Sequence, residues 1–345
     1  MPDNAFWKRS VTKGAIPDLG TTRPLFSAED RVMSAGSCFA SNMVPWLQSA
    51  GIEYVRTEPP HPAFAHLPEN LGYRDFSAAY GNIYTVKQFV QLIHRATGEF
   101  FPVEDRWHEG GRVIDPFRPG LRYPAENDRE FDALREQHYA AVLNAIKQAT
   151  VFVFTLGLTE AWVSVTDDAV FPVAPGVIAG VFDSGKHTFR NFSFLDVVVD
   201  LEDMIQAVSA INPLLRIVLT VSPVPLVATA TNKHVLLAST YSKAVLRAAA
   251  GFITDRVDRV EYFPAYEIIT GPQTDGAYFE EDARSVTPEG ISVVMRAMMG
   301  AMGGPSPEVR PACSSEFDSQ QTLAERVSKA IVDAECEEAF LDYEG

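Results

Sequence analysis

The sequence predicts an α/β protein, a parallel sheet covered by helices on both faces. Two segments carry most of that reading: "TVFVFTLG" (150–157) and "LRIVLTVSP" (215–223) are continuous apolar, β-branched runs. Strands buried on both faces read this way. Helix-spaced segments fall between and after them, and strands that alternate with helices imply parallel pairing. A chain of 345 residues, 46% hydrophobic, is long enough to bury a large core.

The elements follow in order. Residues 1–30 read as an irregular N-terminal arm, broken by Pro17, Gly20 and Pro24. "RVMSAG" (31–36) is a short strand, "SNMVPWLQSAG" (41–51) a helix ending at Gly51, and "IEYVRT" (52–57) a second strand. In 85–98, Val86, Phe89, Val90 and Ile93 keep helical spacing, with Gly98 as the C-cap. Residues 128–149, 194–212, 232–250 and 287–302 are further helices, and "RVEYFPAYE" (259–267) is a weaker strand. The stretch 163–192, rich in Val, Phe, Gly and Asp, breaks the rhythm and reads as a β-rich insertion. The α/β domain is therefore placed at 31–302, with a linker over 303–318 and an acidic amphipathic helix over 319–345.

Charge and cysteine usage narrow the function. With 29 Lys+Arg against 45 Asp+Glu, the formal net charge is -16. A field of that sign disfavours nucleic acid and anionic membrane surfaces. No stretch is long and apolar enough to span a bilayer, and "MPDNAFWKRSVTKG" has no apolar h-region. Cys38, Cys313 and Cys336 show neither metal-ligand spacing nor a disulfide framework. A cytoplasmic, reduced protein is expected.

In an open parallel sheet, ligands bind beyond the carboxyl ends of the strands. Gly36-Ser37-Cys38 follows the first strand, Thr159-Glu160 the central one, Ser222-Pro223 the next, and Tyr266-Glu267 the last. At a helix start, unpaired N–H groups favour an anion, lower a thiol pKa and can hold an oxyanion. The alternative makes Ser37 an N-cap and Cys38 a small buried apolar residue. Gly81 and Asn82, in "YGNIYT", allow close backbone approach and an amide donor, or simply form a turn before a Thr85 N-cap. Of the seven histidines, His61 and His66 sit in a Pro-rich loop, His108 in a polar loop, and His94 and His138 in helix patterns at the surface or boundary. His187 and His234 follow loops that can approach strand ends. Lys243 and Arg247 lie one helical turn apart, able to hold a phosphate or carboxylate, or to form surface ion pairs. Trp46 and Trp162 read as core or pocket walls.

"AGSCFA" resembles the signature of the GSCFA-domain family, and "YGNIYT", "FTLGLTEAW", "TVSPVPL", "YSKAVLRAAA" and "EYFPAYEI" resemble its further blocks, in order, over about residues 31–300. That family is similar to the SGNH hydrolases, a flavodoxin-like class of esterases and acyltransferases. The resemblance implies that Cys38 takes the nucleophile position of Gly-Asp-Ser and Ser37 the aspartate position. Gly81 corresponds to the second-block glycine. Thr159 stands where the oxyanion-hole Asn would be, with Asn82 beside it. The last block, Asp-x-x-His, becomes Asp282-Ala283-Arg284-Ser285, with serine in place of the base. The base must then be supplied by His187 or His234, or be dispensable to a thiolate, or the chemistry is lost.

The function that the resemblance implies is an SGNH-like hydrolase or acyltransferase acting on an acyl ester or thioester of a carbohydrate or small metabolite, so the expected partner is a small-molecule or carbohydrate substrate. Cys38 attacks, with Ser37 in reserve, and Asp282 orients a base or a substrate hydroxyl. No cofactor is required. Some capsular-polysaccharide acetyltransferases look similar, which admits coenzyme A as donor, with Lys243 and Arg247 on its phosphates. The rival is a binding or scaffold protein that keeps the fold without the base.

Overall fold

The structure, a computed structural model, describes residues 1–15, 24–37, 40, 42–59, 76–121 and 124–301. Cys38, His61, His66, Cys313, Cys336, the 303–318 linker and the 319–345 helix lie outside the described residues.

A short 3-10 turn, Asp3–Ala5, leads to α1 (Trp7–Ser10) in the arm. β1 (Arg31–Gly36) passes to α2 (Met43–Ser49) and β2 (Glu53–Tyr54). α3 (Val86–Thr97) precedes a hairpin of β3 (Trp107–Glu109) and β4 (Arg112–Ile114), then α4 (Asp128–Gln148) and β5 (Val151–Leu156). β6 (Glu160–Ser164), β7 (Val170–Phe171) and β8 (His187–Asn191) form a separate antiparallel sheet in the order β7-β6-β8. It spans the region expected as a β-rich insertion. α5 (Phe194–Ile211), β9 (Arg216–Val221), α6 (Val235–Thr254), β10 (Val260–Phe263), α7 (Ala265–Thr270) and α8 (Pro288–Gly300) complete the chain.

The five-stranded sheet runs β10-β9-β5-β1-β2, every pair parallel. In chain order of its own strands this is 2-1-3-4-5, the flavodoxin-like arrangement. The period of two sends alternate side chains to opposite faces. Val32, Val151, Val153 and Val218 pack under α2, α7 and α8. Met33, Ala35, Phe152, Phe154, Ile217 and Leu219 pack under α3, α4, α5 and α6. On that second face Phe89 of α3 lies against Phe152 and Phe154, with ring centroids 5.0 and 5.3 Å away.

Caps set the helix limits. Thr85 accepts from the Gln88 N–H at the start of α3, and Gly98 ends it in the left-handed conformation, φ +78°. Asn127 caps α4, and Ser193 with Asp196 forms a capping box on α5.

Three elements differ from the sequence reading. β2 is two residues long, because after Val55 the chain leaves β1 and Thr57 donates to the Ser77 carbonyl instead. β10 stops before Pro264, so Tyr266 and Glu267 lie within α7 rather than at a strand end. The β3–β4 hairpin turns at Gly110-Gly111, both at positive φ, a pair whose turn chemistry is written in the sequence. Among the described residues no helix is long and apolar enough to cross a membrane.

Candidate active site

The site begins at the end of β1. Gly36 has φ +144°, and a Cβ there would stand 2.5 Å from the Thr155 carbonyl oxygen on β5. Only glycine lets the two strand ends meet so closely. The Gly36 carbonyl accepts from the Ile83 N–H at 2.8 Å, which draws the 80–85 loop over the sheet. Gly157, at the end of β5, is held against the same loop: an added Cβ would lie 2.9 Å from the Tyr84 carbonyl oxygen. The Leu158 N–H donates to that oxygen at 3.0 Å.

A cleft of about 730 Å³ opens at this junction, lined from β1 by Ser37, from β5 by Gly157 and Leu158, and after β9 by Ser222. It lies beside the point where the strand order reverses, between β1 and β5, where open α/β sheets hold their ligands. Its walls are mostly apolar: Trp162, Phe171, Val173, Val224, Leu226 and neighbours. Trp46, by contrast, packs against the core on the α2 side.

Two polar groups in the cleft stand out. The Ser37 side chain is buried, and its Oγ has no hydrogen-bond partner among the described residues. Glu160 is 2% exposed and lines the same cleft. Both its oxygens accept from Thr229 Oγ1 at 2.9 Å, and no Lys or Arg among the described residues pairs with it. Burial raises its carboxyl pKa above the ordinary 4.5, outweighing the Thr229 hydroxyl and the Ala230 N–H.

The remaining expected residues fall in different places. Thr159 is fully buried: its hydroxyl donates to Asn191 Oδ1 at 2.7 Å and its N–H to Ser242 Oγ at 3.0 Å, so both donors are engaged. Gly81 turns the loop with φ +67°, and the Asn82 carbonyl accepts from Gln88 Nε2; neither residue is among those that line the cleft. Asp282 is exposed; it accepts from the N–H groups of Arg284 and Ser285 and from Ser285 Oγ. Its neighbour Arg284 lines the cleft. The sequence block contains Arg284, but the direction of its side chain depends on a backbone turn that no motif announces.

Neither expected histidine lines the cleft. His187 is buried in the insertion, its Nδ1 accepting from the Asp183 N–H and its Nε2 2.9 Å from Glu104. His234 is exposed and caps α6, accepting from the Leu236 N–H. His138 is not at the surface, as its helix pattern suggests, but 1% exposed, because Glu58 from the loop after β2 reaches its Nδ1 at 2.6 Å.

Lys243 and Arg247 do not share a surface. Lys243 is buried and donates from Nζ to the Gly157 carbonyl at 2.6 Å, fixing the end of β5. Arg247 pairs with Glu267 at 2.5 Å and stacks over Tyr262. Neither lines the cleft. Among the described residues no group of three or more His, Cys, Asp or Glu is arranged to hold a metal ion.

No curated protein matches the sequence. Among solved structures, the chain is similar to a carbohydrate esterase family 3 protein from Talaromyces cellulolyticus, at 12% identity and a TM-score of 0.37, over 78% of this chain and 94% of that one. It is also similar to an acetyl esterase mutant with acetate ion, at 12% identity and a TM-score of 0.36, over 77% of this chain and 92% of that one. The profile of the GSCFA family matches residues 31–298.

Proposed function

The chain belongs to the GSCFA family, and on that footing we propose that it is a hydrolase or acyltransferase of esters or thioesters, with its nucleophile at the Ser37–Cys38 junction. The observation that carries this reading is the pairing within one cleft of an unpartnered, buried Ser37 hydroxyl and a buried carboxyl, Glu160, that has no ion-pair partner among the described residues. A carboxyl group whose pKa is raised by burial suits general acid–base work.

In this scheme the nucleophile passes its proton to the Glu160 carboxylate as its oxygen or sulfur bonds to the acyl carbon. Backbone N–H groups of the junction hold the resulting oxyanion. Collapse breaks the bond to the alcohol or thiol, which takes the proton from Glu160 and leaves an acyl-enzyme. Water, deprotonated by the same carboxylate, then attacks and releases the carboxylic acid, and the proton returns to the nucleophile. An acceptor hydroxyl in place of water makes the reaction a transfer. The apolar walls fit an acyl chain, and Lys243 acts by holding the Gly157 carbonyl in place.

The second reading, a binding or scaffold protein, is favoured by one observation: no histidine among the described residues lines the cleft. Turnover of short-chain 4-nitrophenyl esters and of acetyl-coenzyme A by the full chain separates the two. The enzyme reading expects turnover, and one of Ser37→Ala and Cys38→Ala should lower kcat/KM by about 10³-fold or more while the variant stays folded. If the unaltered protein cleaves none of these substrates, the binding reading stands instead; turnover that both variants match would overturn the assignment of the nucleophile to the 37–38 junction.

A further inference from the structure

Among the described residues that line the cleft, only Glu160 and Arg284 carry charge. They are not paired with each other. Arg284 makes no side-chain hydrogen bond or close ion pair with any described residue; the exposed Asp282 carboxylate feels its charge but does not contact it, and its Nε is sealed from solvent without an acceptor among the described residues. A guanidinium N–H buried in this state is costly unless something completes it.

Its position is held by the local backbone. Ala283 sits at φ +55°, a conformation that a non-glycine residue adopts only where the surroundings impose it. Asp282 imposes it, taking the N–H groups of Arg284 and Ser285 on Oδ1, both at 2.8 Å, and the Ser285 hydroxyl on Oδ2 at 2.6 Å. The Glu280 N–H donates to the Ser285 carbonyl at 2.8 Å and closes the base of the loop. The turn thus keeps the Asp282 carboxylate at the surface and Arg284 in the cleft.

We propose that Arg284 receives an oxyanion, a carboxylate or phosphate, carried by the substrate, whose apolar part lies against Trp162, Phe171 and Leu226. This rests on the acyl-transfer reading above and narrows its substrate to an anionic ester or thioester. A planar guanidinium matches such a group with two parallel hydrogen bonds. A chain of net charge -16 repels anions at long range, so their capture requires a local cation of this kind.

The test is binding, measured by calorimetry on the full chain, with hexanoate and phenyl phosphate as anions and hexanamide as the neutral twin. The anions should bind at least tenfold more tightly than hexanamide. Arg284→Met should abolish that preference, Arg284→Lys should keep part of it, and both variants should retain their circular dichroism. Two esters then locate the anion. A KM advantage for 4-nitrophenyl hemiglutarate over its methyl ester puts it on the acyl side, and one for 4-acetoxybenzoate over its methyl ester puts it on the alcohol side. Equal binding of anion and amide, no anion binding at all, or a preference that survives in folded Arg284→Met overturns the proposal. An Arg284-dependent preference without ester turnover keeps the anion site and overturns the acyl-transfer reading instead.

Discussion

A carboxyl group buried without a cation titrates above its usual range, and Glu160 is held that way behind Thr229. Its folded pKa exceeds the unfolded one, so the folded state binds the proton more tightly. Ionising it costs stability as pH rises through 4.5 toward the folded value. Glu160→Gln removes that cost and keeps an oxygen for Thr229. We predict that this variant loses about 10²–10⁴ of kcat while its Tm at neutral pH is unchanged or higher. In the unaltered protein the rate should fall with acid along a limb lying above 4.5, and that limb should vanish from the residual activity of the variant. A Tm drop of many degrees would make Glu160 structural. Ser37 and Glu160 were legible in the sequence because each follows an apolar strand. The engagement of Thr159 with Asn191 and Ser242 was not, since its partners come from β8 and α6, far along the chain.

The loop after β2 and α4 are joined by charge rather than by apolar contact alone. Glu58 Oε2 meets His138 Nδ1 at 2.6 Å and the Ala79 N–H at 2.8 Å, and Arg118 lies 3.5 Å from Oε1 and 2.8 Å from Asp115. Burial alone would raise the Glu58 pKa, but His138, Arg118 and the Ala79 N–H outweigh it and hold the carboxyl down at about 2. Burial and Arg118 also keep His138 below 6.5, so its neutral form is favoured in the folded state. Both shifts have one sign. Stability from Glu58 is present above 4.5 and is lost as pH falls toward about 2, and charging His138 adds a cost once pH drops below 6.5. Urea unfolding should therefore show a loss of about 2 kcal/mol from Glu58 between pH 7 and 3, an upper figure. Glu58→Gln should flatten that dependence. A flat profile in the unaltered protein would mean that the network does not couple to folding. Helix positions were readable from caps such as Thr85 and Gly98. This ion network was not, because Glu58 and His138 are distant in sequence, and a helical pattern does not say which side faces a charged loop.

The 2-1-3-4-5 sheet brings together at one crevice residues that the chain keeps far apart: Ser37 after β1, Glu160 after β5 and Arg284 before α8. The fold class was legible because buried parallel strands write themselves as apolar runs, and because the "AGSCFA" block fixes the first turn. The site was legible only in part. Strand ends could be located, but side-chain direction at Arg284 and the burial of Lys243 depend on tertiary contacts that no local pattern encodes. The account as a whole requires a covalent acyl group at the 37–38 junction, and mass spectrometry can look for it. Brief mixing with 4-nitrophenyl acetate, an acid quench and peptide mapping should find one acetyl group on the peptide that contains Ser37 and Cys38. No adduct, or an adduct confined to other peptides, in a protein that still turns over the ester would contradict the account.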